Sequence, residues 1–117
     1  YGISFRALNK VCKIKKSVDT EMMWTYFKDT GLFDIESLNN IPSEFIREDI
    51  RMTLDYHDDL VFFEKIFKHF YKKGNYNFDL YDIVEYLDKN KEIVAINSHL
   101  QEEWSNNQAM NTKLDLI

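Results

Sequence analysis

Residues 50–56 constrain this chain more than any other stretch. Ile50, Met52 and Leu54 alternate with Arg51, Thr53 and Asp55, which is the period-two pattern of a β-strand. A strand alone cannot satisfy its backbone hydrogen bonds. Both sides of this one need cover, and one of them carries an arginine and an aspartate. Residues 32–35 (Leu-Phe-Asp-Ile) offer one further short strand, and Ile93-Val-Ala-Ile96 is ambiguous between a turn and a strand. The expectation is therefore a strand whose sheet neighbours 117 residues do not supply.

Helical periodicity fills most of what remains. Phe5, Leu8, Val11 and Cys12 recur at spacings of three and four over residues 5–16, with Ser4 as N-cap. A second helix is expected over 20–29, capped by Asp19 or Thr20, with Glu21 in its first turn and Gly31 beyond its end. Residues 36–49, with Pro42 among them, read as a loop or a short helical turn. From about residue 58, Leu60, Phe63, Ile66, Phe67, Phe70 and Tyr71 line one face of a helix that Gly74 ends. Asp79 caps the next helix, which places Leu80, Ile83, Val84 and Leu87 on one face. A last helix is expected from Ser98 to about Gln108. With three Gly and one Pro, turn punctuation is too sparse for a fold of many short strands.

Composition narrows the partners. The net charge is −5 and basic residues cluster only at Lys10, Lys13, Lys15 and Lys16, a smaller footprint than nucleic-acid binding leaves. An acidic domain also matches anionic membrane surfaces poorly, and no apolar run is long enough to span a bilayer. The expectation is no nucleic acid, no membrane and a cytoplasmic protein. The lone Cys12 sits in an apolar pattern and reads as a small buried hydrophobe in a reducing compartment. The chain starts at Tyr1 rather than Met, so a fragment is expected.

Three groups could carry chemistry or contacts. Asp55, with Asp58 and Asp59, closes the alternating run immediately before a helix N-terminus. In open α/β sheets that edge is where ligands bind, and Mg²⁺ takes one or two carboxylates plus phosphate oxygens and waters. From spacing alone, a helix cap outweighs a metal ligand as the role of Asp55 or Asp58. His57, His69 and His99 lack metal-ligand spacing. Met22, Met23, Trp24, Tyr26 and Phe27 cannot all face one side of a short helix, so Trp24 is left over for another element or another chain.

The run Arg51-Met-Thr-Leu-Asp55-Tyr-His-Asp-Asp59-Leu60 resembles the Arg-x-Thr-x-Asp-x-x-x-Asp-hydrophobic segment near the end of cytidylyltransferases. These include the acylneuraminate and 3-deoxy-manno-octulosonate types and the SpsF-like proteins of spore-coat polysaccharide biosynthesis. The stretch from Leu80 to Asn97 is similar to that family's tail, with Lys91 where Pro is usual; His57 likewise stands where the strand-to-helix turn often carries Pro. The family's phosphate-cradling Gly/Arg/Lys segment and its other metal-binding aspartate have no counterpart here.

The resemblance implies an α/β fold: a mainly helical C-terminal piece, with one or two short strands, of a Rossmann-like nucleotidyltransferase. Within it, 1–49 is a helical segment with an oligomer contact, 50–108 the strand-helix-helix end of the catalytic fold, and 109–117 a tail. Asp55 is then a Mg²⁺ ligand, CTP and a sugar are the substrates, and a homodimer is the favoured assembly. The piece alone is expected to be inactive, because the CTP cradle is missing. Two other classes fit the residues: a small helical interaction module without catalysis, and part of a nucleotide-sugar glycosyltransferase.

Overall fold

The computed structural model describes residues 1–17, 22–112 and 114–117. It is mainly helical: α1 (Phe5–Ile14), α2 (Trp24–Lys28), a 3₁₀ turn (Ser43–Phe45), α3 (His57–Lys72), α4 (Leu80–Lys89), α5 (Lys91–Val94) and α6 (Leu100–Asn111). The chain forms two compact units, one of residues 1–39 and 104–117, the other of residues 40–103.

In the first unit, Ser4 Oγ accepts the Ala7 N–H at 3.2 Å and starts α1 as expected. Val11 is fully buried and packs with Tyr26 and Phe27 of α2, with Ala7, Met23 and Phe33 around them. Cys12 is exposed, not the buried hydrophobe its pattern suggested. The stripe that includes it narrows to Val11, because α2 is only five residues long and covers little of α1. The expected caps Asp19 and Thr20, and Glu21, lie outside the described residues. Trp24, the ring left over in the sequence, stacks on Tyr1 with centroids 5.1 Å apart and has Lys28 Nζ 5.0 Å from its centroid. The end of the chain runs back along the end of α1. Lys15 and Leu116 form an antiparallel bridge, Lys16 N–H donates to Asp115 O, and the Tyr26 hydroxyl accepts the Asp115 N–H at 3.1 Å.

The core of the second unit is Phe62, Ile66 and Phe70 of α3, Leu87 of α4, and Ile93 and Val94 of α5. Phe78 stacks on Phe70 at 4.4 Å and leads the chain into α4. The helix ends follow local rules. Gly74, at φ 70°, closes α3: its N–H reaches Tyr71 O and the Asn75 N–H reaches Phe70 O, the paired bonds of a Schellman motif. Asp79 and Asp82 exchange side-chain-to-backbone hydrogen bonds, both 3.1 Å, at the start of α4. Residues 93–96 resolve their ambiguity as helix and turn.

The strands expected at 50–56 and 32–35 are not formed. Among the described residues the only β pairing is the Lys15–Leu116 bridge, and no partner ladder lies beside residues 50–54. The alternation also works differently from a half-buried strand. Ile50 packs against the core cluster, but Met52 and Leu54 stay exposed, while Arg51 is buried.

Candidate functional site

A charged residue in the middle of a short run is buried only if its environment completes it. Arg51 is 4% exposed, and Asp59, in the first turn of α3, is 0% exposed. Arg51 Nε donates to Asp59 Oδ1 at 3.0 Å and Nη2 to Oδ2 at 3.2 Å, the two-point geometry in which Arg–carboxylate pairs are strongest. Nη1 donates to Gln101 Oε1 at 3.0 Å, and the guanidinium lies 5.5 Å from the Tyr56 ring centroid.

Asp59 is completed from three other directions. The backbone N–H groups of Asp55 and Tyr56 donate to its Oδ2 at 2.9 and 3.0 Å. Asn97, also fully buried, donates Nδ2 to Asp59 Oδ1 at 2.8 Å and to the carbonyl of Arg51 at 3.1 Å. Burial by itself would raise the Asp59 carboxyl. The Arg51 guanidinium, the Asp55 amide, the Asn97 amide and the Tyr56 amide outweigh it and hold the group well below the usual carboxylate range. Position also helps, since a carboxylate in the first turn of a helix meets the positive end of its dipole.

This network fixes Asp55. Its N–H is tied to Asp59, and its carboxylate accepts Arg51 Nη2 at 2.8 Å. The side chain remains 44% exposed. Asp55 is thus anchored at the mouth of the α3 N-terminus with a carboxylate that reaches solvent. It does not cap α3: the N-cap is Tyr56. Asp58 points elsewhere, 3.7 Å from His99 Nε2. Thr53 is exposed. The histidines do not converge: His69 stacks on Tyr86 at 3.9 Å, its pKa lowered by burial and then by Lys73.

Asp55 offers a single exposed carboxylate, and no group of three His, Cys, Asp or Glu side chains forms a metal site among the described residues. That donor set suits a Mg²⁺ shared with phosphate oxygens and does not suit a self-contained metal centre.

The sequence pointed to Asp55 but not to what holds it. Asn97 lies 46 residues beyond Arg51 and Gln101 lies 50 beyond it, so only the fold joins them. The available signals were an arginine inside an apolar alternation and an acid at the third position of a helix, each of which demands a partner.

No helix of the described residues is long and apolar enough to cross a membrane. No protein-family model and no solved structure matches the chain. It is 33% identical over 103 residues to the uncharacterized protein MJ1063 of Methanocaldococcus jannaschii, a match that covers 86% of this chain and 40% of that protein. The chain thus spans about two fifths of the length of the archaeal relative to which it is similar.

Proposed function

We propose that these residues are the C-terminal portion of a nucleotidyltransferase that makes a CMP-sugar from CTP and a sugar for surface polysaccharide biosynthesis. In this reading a sugar oxygen attacks the α-phosphorus of CTP. The bond from that phosphorus to the bridging oxygen breaks, and pyrophosphate leaves. The observation that carries the reading is the anchoring of Asp55, whose exposed carboxylate is held by buried Arg51 and whose amide is held by buried Asp59. A carboxylate fixed in this way meets a ligand without first losing its own freedom. Bound at Asp55, Mg²⁺ would neutralise triphosphate charge.

Arg51, Asp59 and Asn97 are positioning residues, since they are buried and touch Asp55 or each other. Residues 50–54 would join a Rossmann-like sheet built from polypeptide outside these residues, and residues 1–49 would supply the contact of a cytoplasmic homodimer. The relative of greater length supports such a larger whole.

The test is pyrophosphate release from CTP in the presence of Mg²⁺ and acidic sugars. The intact polypeptide turns over, and Asp55→Asn lowers turnover by about 100-fold with the thermal midpoint unchanged. The 117 residues alone release none. Full activity in Asp55→Asn removes Asp55 from the chemistry, and activity in the 117 residues alone overturns the assignment as a portion.

A further inference from the structure

Helix α3 has two apolar stripes, and the second is covered within its unit only at Phe63, which is half-buried against the core. Phe62, Ile66 and Phe70 form the core. Leu60, Phe63, Phe67 and Tyr71, at steps of three and four, line the wall of an open groove of about 820 Å³. Glu64, Lys68 and Lys72 edge that wall, and Met52 and Leu54 complete the groove. Leu54 is 62% exposed, and Leu60, Phe67 and Tyr71 are each more than 40% exposed. This is a contiguous patch, unlike the scattered surface apolar residues that are normal in soluble proteins.

The second wall tells which occupant fits. Met52 and Leu54 share the groove, as side chains two apart do along an extended chain. The backbone N–H and C=O groups of Met52, Thr53 and Leu54 make no hydrogen bond among the described residues. A helix laid in the groove would cover the apolar wall and leave those groups dry and unpaired, at a cost. An extended strand satisfies both walls. It pairs with residues 52–54 and sends alternate side chains against α3.

We propose that this groove receives a β-strand with apolar residues at alternate positions, from polypeptide outside these 117 residues. The archaeal relative has more than half of its length outside the match, and a corresponding part of a longer polypeptide would supply such a strand. The inference rests on the reading that residues 50–54 complete a sheet and is independent of what the sheet catalyses.

Hydrogen exchange tests it without reference to CTP. In the intact polypeptide, the amides of Met52, Thr53 and Leu54 exchange roughly 100-fold more slowly than in the purified 117 residues. Leu54→Asp in the intact polypeptide returns them to the fast rate, while the core amides of α3 at Ile66 and Phe70 keep their protection. Equal rates for 52–54 in the two proteins overturn the inference. Protection that grows with concentration in the 117 residues alone assigns the groove to a second copy and overturns it too. Where Leu54→Asp lowers the protection of α3 as well, Thr53→Pro, which removes one pairing amide, decides by the rates of Met52 and Leu54. Slow exchange together with no CTP turnover retains the strand and removes the proposed chemistry. Fast exchange with turnover does the reverse.

Discussion

The two apolar stripes of α3 are built from similar residues and meet opposite fates. Phe62 and Ile66 are fully buried against α4 and α5, and Phe70 stacks on Phe78. One position further round the helix, Leu60, Phe67 and Tyr71 stand exposed beside Met52 and Leu54. Side-chain chemistry does not separate the two sets. What separates them is whether another element of the unit lies over them. At the N-terminus of α3 the same contrast is drawn in charge: Asp59 turns inward to a closed network, and Asp55 is held by that network with its carboxylate reaching solvent.

The closed side should break most sharply at its charges. Asp59→Ala leaves Arg51 buried without its two-point partner and is expected to cost about 3–5 kcal/mol, read by urea denaturation. The double replacement Arg51→Met with Asp59→Leu should recover the part of that loss that comes from the uncompensated charge, while the Asp55 and Tyr56 amides and Asn97 Nδ2 stay without their acceptor. A double variant as unstable as Asp59→Ala would mean that the loss comes from the orphaned amide donors and from shape, not from charge.

Smaller in magnitude, the apolar stripes can be compared directly. Ile66→Ala opens a cavity in the core and should cost about 2–5 kcal/mol. Phe67→Ala, one residue away on the open stripe, should stay within about 1 kcal/mol in the 117 residues alone. Equal costs would show that the groove is closed in solution.

The smallest effect is the dependence on pH. Asp59 is held below its ordinary value of about 3.9 in the folded protein. Above about pH 5 it is ionised folded and unfolded, and its full contribution is present. As pH falls below that, the unfolded chain takes up the proton first. Stability then declines until the folded carboxyl itself is protonated. The urea midpoint should therefore drop between about pH 5 and pH 3, and Asp59→Asn should lessen that slope. An unchanged slope would place the acid sensitivity elsewhere, with Asp49 the next candidate, since its hydrogen bonds to Arg47 hold it at about 2 against the opposing effect of burial.

Much of the helical framework was legible in the sequence. Ser4 and Asp79 cap as their types suggest, Gly74 closes α3, and the apolar spacing located α1, α3, α4 and α6 to within a few residues. These are local matters, decided by hydrogen bonds within one turn. The run 50–56 was legible only as a pattern. Its alternation led to a strand with Ile50, Met52 and Leu54 on one covered face, yet only Ile50 reaches the core. A strand is a property of two segments, and no second segment lies beside this one among the described residues. Cys12 failed for a related reason: a helical stripe says which side is apolar, not how much of it a five-residue neighbour can cover.

By itself, the sequence located α1, α3, α4 and α6 to within a few residues and showed that an aspartate stands at the entrance to α3. Only the tertiary structure decided that Arg51 goes inside, that Asp59 and, from distant positions, Gln101 and Asn97 complete the network around it, and that Asp55 is thereby held in place. The physical reason is range. Caps and periodicity act over three or four residues, whereas the buried Arg51 is completed by partners that lie 8 to 50 residues away and meet only in the folded chain.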